Sequence, residues 1–180
     1  MIRLGSRHPT TLPQRITPEL CEVLQRYPPI YVMTHFNHPK ECTPEAGVAL
    51  RRLADAGCVL SNQSVLLRGV NDDVSALTQM HEWLLAHRCR PYRLYHCDFS
   101  EGVSHFRVPL SRGLQMMAQL RGHTSGLSVP EYVVDLPGGR GKVPVGHGHH
   151  REGTWTFMSF TGESVVLYED GLTYCAAQAD

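Results

Sequence analysis

The sequence predicts an α/β fold in which helices alternate with the strands of a parallel sheet and a β-hairpin follows. Three observations predict it. Short apolar runs alternate with segments of helical periodicity, as in chains of βα units. Threonine–proline–glutamate begins two of the helical segments, at Thr17 and Thr43, with the threonine as the N-cap. The turn Thr161-Gly162-Glu163 separates two apolar runs near the end of the chain.

Each element follows from its own local signal. Strands are predicted at the apolar runs, residues 1–5, 30–34, 58–61, 91–97 and 131–135. Helices are predicted at residues 17–25, 43–57, 74–87 and 110–120. Residues 154–160 and 164–168 are predicted to form the hairpin. We expect residues 1–145 to form one unit, with residues 146–180 as an appended loop and hairpin tail.

The number of βα units bears on the kind of barrel. Four to five units are too few to close an eight-stranded barrel, which takes about 250 residues. The first predicted strand also begins without a preceding cap or linker. We therefore expect the C-terminal part of a longer, partial (β/α) barrel. The alternative is an open sheet that is complete in itself, although its edge strand would be exposed.

The composition is that of a globular protein with one core. Of the 180 residues, 42% are hydrophobic, and 17 acidic residues balance 17 basic ones. A net charge of zero argues against a binder of nucleic acid or membrane surfaces. The first residues given lack the apolar h-region of a signal peptide, and no apolar run approaches the roughly 20 residues that span a bilayer. We expect a cytoplasmic protein with small-molecule partners.

Metal binding is not expected from the residue pattern. The six cysteines form no C-x-x-C pair or tight cluster, so reduced thiols are predicted. A histidine-rich run at residues 146–150 is predicted to be a solvated loop. His35 and His38 have a spacing seen in metal pairs but lack a third ligand nearby. For these two we expect hydrogen bonding to a cofactor or a structural role.

A glycine-rich segment carries the most reactive candidate group. It reads VVDLPGGRGKVP from residue 133 to residue 144 and places Lys142 just beyond the end of a predicted strand. A lysine amine on an unhindered loop can form a Schiff base with a carbonyl cofactor. Glycine-rich turns that end in lysine are also common structural features, so the segment alone leaves both interpretations open.

Polar residues follow nearly every predicted strand. Ligands of parallel βα folds bind at the carboxyl ends of the strands, so these residues are expected to share one mouth. Gln63 could contact a ligand or hold a turn together. Asp98 and Asp135 could together bind an ammonium or guanidinium group, or each could cap a loop or pair with an internal arginine.

Several longer segments, in order, resemble one family. They read LPQRITPEL (residues 12–20), THFNHPKECTPEA (34–46), LADAG (53–57), SNQSVLLRGVND (61–72), RPYRLYHCD (90–98) and LRGHTSGLSVPEYVVDLPGG (120–139). They resemble the C-terminal half of lysine 2,3-aminomutase. The resemblance covers residues 1–145 well and the hairpin less well, and it is far more specific than a single short motif.

The resemblance implies a partial radical-SAM-type barrel and an isomerase that moves the amino group of L-lysine between C2 and C3. It implies pyridoxal 5′-phosphate, S-adenosylmethionine as the source of a 5′-deoxyadenosyl radical, and a [4Fe–4S] cluster. Lys142 matches the lysine that forms the pyridoxal Schiff base. Asp98 and Asp135 match carboxylates that hold the distal ammonium of the substrate. His35 and Gln63 match positions that contact S-adenosylmethionine.

The sequence departs from the family pattern at several points. The motif C-x-x-x-C-x-x-C, which supplies the cluster thiolates in the family, is absent from these 180 residues. Arg140 stands where relatives usually have a glycine. Asp73 stands where some relatives have a cysteine for structural zinc, so no zinc site is expected. We expect the chain to be inactive alone and to need the N-terminal half of the barrel, on the same or a separate polypeptide.

Three functions stay open at this point. The first is a radical aminomutase fragment that acts on L-lysine. The second is a non-catalytic remnant or split subunit that binds pyridoxal phosphate or an amino acid. The third is a relative that acts on arginine or on a lysine of a protein. The sequence does not separate lysine from arginine as the substrate, and it leaves homo-oligomerisation open.

Overall fold

The computed structural model describes residues 1–169 and the backbone of residues 174–176. The α-helices in this part of the chain are α1 (His8–Thr11), α2 (Pro18–Gln25), α3 (Pro44–Asp55), α4 (Val74–Ala86) and α5 (Leu110–Leu120). Its strands are β1 (Ile2–Gly5), β2 (Ile30–Thr34), β3 (Val59–Leu66), β4 (Cys89–His96), β5 (Glu131–Asp135), β6 (Lys142–Pro144), β7 (His149–Arg151), β8 (Thr154–Met158), β9 (Ser164–Tyr168) and β10 (Tyr174–Ala176). None of the described helices has both the length and the apolarity needed to cross a membrane.

Six strands form one curled sheet with the shape of a half barrel, in the order β1-β2-β3-β4-β5-β6. The first five strands are parallel, and β6 runs antiparallel to β5. A second, antiparallel sheet has the order β10-β9-β8-β7. The predicted α/β class, the parallel sheet and the hairpin of β8 and β9 are confirmed. All four residues of β1 are exposed, and no described strand pairs with its outer edge.

Two segments predicted as loops are strands. Lys142, expected on the glycine-rich loop, is the first residue of β6, which turns back along β5. The histidine-rich run ends in β7, which pairs with β8, so the prediction of a loop is wrong for His149 and His150. All three residues of β7 are exposed. An exposed three-residue strand lacks the apolar alternation by which strands are recognised in a sequence.

The core lies on one face of the large sheet. Along β3 the buried residues alternate with less buried ones, as expected when only one face is covered. The helices pack their apolar sides on the buried face, through residues such as Leu50 of α3, Leu84 of α4 and Met116 of α5. We call the opposite face the open face, defined on β3 by Ser61, Gln63 and Val65.

The third strand extends further than the sequence predicts. β3 runs through Asn62, Gln63 and Ser64, whereas the prediction ended the strand at residue 61. The buried polar groups are satisfied here: Asn62 Oδ1 accepts from the Phe36 N–H at 2.7 Å, and Asn62 Nδ2 and Ser64 Oγ donate to Phe36 O. Thr34 Oγ1 also donates to Asn62 Oδ1. Because buried polar groups with partners are tolerated in a core, these residues do not mark a strand end.

The second sheet packs against the rest of the core through one apolar face. Trp155, Phe157, Val165 and Leu167 are buried and belong to the same apolar cluster as the buried face of the large sheet. Gly148 allows a close approach, because a Cβ at this position would meet the rings of Phe157 and Trp155. The division of the chain at residue 145 into two units stays a prediction.

One carboxylate joins the second sheet to helix α5. The N-cap residue of α5 is Pro109, which makes no side-chain capping bond. Glu169 takes this role: one oxygen accepts from the Ser111 N–H at 3.0 Å, and the other accepts from the Trp155 indole N–H. Burial alone would raise the pKa of Glu169, but the hydrogen bonds from Ser111 and Trp155 outweigh burial and hold the pKa below its ordinary value.

We expect Glu169→Gln to lower the free energy of unfolding by about 1 kcal/mol at neutral pH, because a charged acceptor at a helix N-terminus is replaced by a neutral one. Since the folded pKa is lowered, this contribution is complete above the unfolded value of about 4.3 and is lost as the pH falls through the folded value. Urea unfolding of both proteins between about pH 3 and pH 7 measures it. Glu152→Gln, at an exposed carboxylate near β7, is the control. A difference that persists unchanged in acid would contradict the assignment.

Candidate active site

The open face of the large sheet carries the candidate groups. The strand register shows which side chains share a face, because successive side chains alternate between the two faces. Gln63 of β3 and Arg93 of β4 lie side by side on the open face. Tyr95 lies two residues further along β4, toward the carboxyl ends of the strands. Asp135, the last residue of β5, faces Lys142 of β6.

Lys142 and Asp135 form an ion pair at the carboxyl edge of the sheet. The Lys142 Nζ lies 2.6 Å from the Asp135 Oδ2. The two side chains are 41% and 38% exposed, so a ligand can reach the pair from solvent. The hydrogen bond with Asp135 raises the pKa of Lys142, and the resting amine is therefore protonated.

Two residues of β4 lie beside this pair and are missed by the sequence analysis. The Lys142 ammonium lies 5.9 Å from the centroid of the Tyr95 ring, within the range of a cation–π contact. The positive charge of Arg93 works against the rise in the Lys142 pKa. The Arg93 Nε lies 3.5 Å from the carboxylate of Glu131. Counting by twos along β4 would have found both residues, because they flank the buried Leu94.

Glycines form the tight turn that reverses the chain before Lys142. Three of them have φ angles of 73°, 74° and 88°, a region that favours glycine: Gly138, Gly139 and Gly141. The Leu136 N–H donates to Gly141 O at 2.8 Å and closes the turn. We call residues 136–141 the lysine loop. Its closure places Lys142 opposite Asp135 in the β5–β6 register.

Asp98 lies at the same edge of the sheet, two residues after the end of β4. Its carboxylate has no hydrogen-bond or ion-pair partner among residues 1–169. Arg107, which is only 3% exposed, holds the backbone of this loop by donating to Asp98 O at 2.9 Å and to Ser100 O at 3.1 Å. The sequence analysis missed Arg107, because a single arginine between two elements forms no pattern. The loop is thus held by its backbone, and the Asp98 carboxylate stays available to a ligand.

His35 and Gln63 lie on neighbouring strands at this mouth. His35 follows β2 directly and is half-buried; burial, and then the positive charge of Arg7, lower its pKa, so the imidazole is neutral and can accept a hydrogen bond. Gln63 lies within β3, with its amide unpaired in the described part of the chain. His38 has a structural role instead, since its Nδ1 accepts from the Lys40 N–H at 3.0 Å.

The structure thus brings one predicted pair into contact. Lys142 and Asp135 bind each other, whereas the sequence analysis expected Asp135 to share a ligand's cation with Asp98. Within residues 1–169, Asp98, His35 and Gln63 make no hydrogen bond to that pair. The Asp135 carboxylate, which could bind a cation of a ligand, already binds the Lys142 ammonium of the chain itself.

The donor groups suit a carbonyl cofactor but not an iron–sulfur cluster. A half-exposed primary amine at Lys142 can bond to an aldehyde, and the guanidinium of Arg93 adds a positive charge nearby for an anionic group. The described cysteines, Cys21, Cys42, Cys58, Cys89 and Cys97, are free thiols, and Cys175 lies outside the described side chains. No three His, Cys, Asp or Glu side chains among the described residues are arranged to hold a metal ion.

Comparison with known proteins identifies a consistent set of relatives. A family model described as lysine-2,3-aminomutase matches residues 117–150, which contain the lysine loop. The L-lysine 2,3-aminomutase of Fusobacterium nucleatum is 57% identical over 145 residues, which cover 81% of this chain and 34% of that protein. A putative L-lysine 2,3-aminomutase of Aquifex aeolicus is 46% identical over 94% of this chain and 46% of its own length. The glutamate 2,3-aminomutase of Clostridioides difficile is 44% identical over 80% of this chain and 34% of its own length.

We expect Asp135→Asn to lower the pKa of Lys142, because the neutral amide stabilises the ammonium less than the carboxylate does. The amine should then react at lower pH. The rate of reductive methylation against pH, followed by peptide mass spectrometry, measures this shift. The chain has two lysines, and Lys40 serves as the internal reference in every sample. An identical pH profile for Lys142 in both proteins would show that the pair does not hold the proton in solution.

Proposed function

We propose that this chain, which belongs to the lysine 2,3-aminomutase family, provides the pyridoxal-binding and substrate-binding part of an aminomutase that acts on L-lysine. The family gives the reaction class, an isomerisation that moves an amino group. The chain spans about a third of the length of the Fusobacterium relative. The complete activity is therefore proposed for an assembly in which further barrel units join this chain.

The observation that carries the proposal is the contact between Asp135 and Lys142 at 2.6 Å. The Lys142 side chain ends in the same ammonium group as free L-lysine. A carboxylate that holds this group at the carboxyl edge of the sheet is chemically suited to hold the distal ammonium of the substrate. Asp98, in the loop that follows β4, adds a second carboxylate without a partner of its own in the described part of the chain.

The two residues of this pair can act one after the other: Lys142 holds the cofactor, and Asp135 then holds the distal ammonium of the substrate. If Lys142 held a carbonyl cofactor, its nitrogen would no longer be available as the ammonium that Asp135 binds. The Asp135 carboxylate would then be available to the distal ammonium of an amino acid. The Tyr95 ring, whose centroid lies 5.9 Å from the Lys142 nitrogen, provides an aromatic surface beside the pair.

The implied cofactors divide between this chain and the rest of the assembly. Pyridoxal phosphate, held by Lys142, would supply the conjugated system through which an amino group can move between adjacent carbons. His35 and Gln63 offer an acceptor and an amide at the same mouth for S-adenosylmethionine. No group of three cysteines among the described residues is arranged to hold a [4Fe–4S] cluster, so its thiolates are proposed to come from the rest of the assembly.

The outer edge of β1 is the proposed attachment point for the remaining barrel units. Ile2 and Leu4 are 45% and 40% exposed on this strand. A cavity of about 210 Å³ lies next to Leu4 and is lined mainly by apolar residues, among them Ile16 and Leu20. An unpaired strand edge binds another strand readily. A further βα unit would pair its strand with β1 and cover this cavity with its helix.

The two carboxylates favour L-lysine over an acidic substrate. A relative of this chain is a glutamate 2,3-aminomutase, so the same framework serves both kinds of side chain. Asp98 and Asp135 would repel the distal carboxylate of glutamate and attract the distal ammonium of lysine. Arginine also carries a distal cation, which the same two carboxylates would attract.

We expect pyridoxal phosphate to label Lys142 far more than Lys40 after borohydride reduction, and Lys142→Ala to abolish the visible absorbance of the bound cofactor. Peptide mass spectrometry and absorbance spectra measure both. Lys40→Ala, which removes the other lysine, is the matched control and should keep the absorbance. Equal labelling of the two lysines would exclude Lys142 as the cofactor site.

We expect Asp98→Asn and Asp135→Asn each to weaken the binding of L-lysine to the pyridoxal-loaded chain by roughly tenfold, because each removes one charge from a partly exposed ammonium site. Isothermal titration measures this change. Norleucine, which lacks the distal ammonium, should bind all variants alike, and arginine and glutamate test the charge preference. Glu101→Gln, in the loop that carries Asp98, is the control. Unchanged lysine affinity in both variants would mean that the carboxylates have only structural roles.

A further inference from the structure

We propose that Arg140 and Glu163 are positioning residues, which tie the lysine loop to the β8–β9 turn and thereby hold Lys142 opposite Asp135. This inference rests on the proposed function in one respect, the role of Lys142 as the reactive amine. In the sequence, Arg140 interrupts a run of glycines. Its contacts in the structure explain what it does there.

The lysine loop has little stiffness of its own. Half of its six residues are glycines with positive φ, and glycine has the largest conformational freedom of any residue. A backbone bond from the Leu136 N–H to Gly141 O at 2.8 Å joins the two ends of the loop, and Pro137–Gly139 form a short 3-10 helix between them. The amine at Lys142 follows this loop directly, so contacts that the loop makes with other parts of the chain also affect its position.

Arg140 makes one contact within the loop and one with a residue outside it. Its Nη1 donates to Pro137 O at 3.1 Å, so the guanidinium spans the loop and passes over Gly138. Its Nε donates to Glu163 Oε2 at 2.8 Å, on the turn between β8 and β9. One planar group therefore closes the loop and connects it to the second sheet, which suits the fixed fork geometry of arginine.

An apolar contact reinforces this bridge. The Phe160 ring packs on Gly141, where a Cβ would lie only 2.9 Å from the ring. Phe160 is otherwise 79% exposed, so its contact with the loop is its main packing interaction. The β8–β9 turn thus touches the lysine loop at two adjacent residues, Arg140 and Gly141, immediately before Lys142.

The β8–β9 turn is itself well fixed. The Ser159 N–H donates to Glu163 O at 2.8 Å, and the Glu163 N–H donates to Ser159 Oγ at 3.0 Å. The Ser159 Oγ also lies 2.8 Å from Thr161 Oγ1. The flanking strands are anchored in the core through residues such as Phe157 and Leu167. Glu163 is therefore an acceptor on a firm support, and the loop is the part that it restrains.

The effect of the bridge should be local. Arg140 and Glu163 are 31% and 58% exposed, and exposed ion pairs contribute little to global stability. A structural role would change the unfolding transition of the whole chain. A positioning role would change the lysine loop and the reactions of Lys142, with the unfolding transition close to that of the control.

The test uses the full chain with Arg140→Gln, Glu163→Gln, the double variant and the charge-reversed pair Arg140→Glu with Glu163→Arg. Arg88→Gln is the matched control, since it removes an exposed arginine–carboxylate pair with Asp55. Amide hydrogen exchange of a peptide that covers residues 136–143 and the affinity for pyridoxal phosphate are the readouts. We expect each single variant to speed exchange and weaken affinity by about two- to fivefold, the range that one exposed ion pair supplies.

The double variant should show the same increase in exchange and the same loss of affinity as either single variant, because all three remove the same ion pair. The charge-reversed pair should recover part of the loss, and Arg88→Gln should change neither readout. Unchanged loop exchange in both single variants, or fully additive effects, would overturn the proposal. If Lys142→Ala keeps the cofactor absorbance, the proposed function fails, while loop exchange still decides whether Arg140 and Glu163 act as a bridge.

Discussion

The helices pack on a single face of the parallel sheet, and the placement of every candidate group depends on this constraint. Along β3, alternate residues are buried against the helices and the others lie on the open face. Polar residues on the buried face survive only with partners, as the bonds between Asn62 and Phe36 show. Polar residues on the open face need no such partners. Gln63, Tyr95 and Asp135 can therefore serve ligands without a cost to the core.

The reversal after β5 adds the amine to this arrangement. A further parallel strand would need a long crossover, whereas a short glycine-rich turn lets β6 return at once along β5. The returning strand places Lys142 beside the last residue of β5. The second sheet contributes twice, through Glu169 at the start of α5 and through the turn that contacts the lysine loop. Three parts of the chain that are distant in sequence thus build the site: β3 with β4, β5 with β6, and the β8–β9 turn.

Local signals predicted the framework well and the contacts poorly. β2 and β5 have the predicted bounds, because each is an apolar run that ends in a polar residue. β3 was cut short, since the partners that satisfy Asn62 lie 26 residues away in the sequence. Lys142 and Asp135 were each predicted as functional residues by residue type and resemblance. Their pairing was not, because a three-residue strand that ends in proline gives no strand signal.

The ion pair between Lys142 and Asp135 also bears on the order in which ligands enter. The ammonium of Lys142 is tethered to the same sheet, so its effective concentration at Asp135 is in the millimolar range or above. A cationic ligand from solution would have to compete with this tethered group as long as Lys142 is unmodified. Once the lysine nitrogen is engaged elsewhere, the competition ends. With cofactor and substrate bound as proposed above, the pair favours ordered addition, with the cofactor first and the amino acid second, and it keeps the carboxylate neutralised until the cofactor engages the lysine.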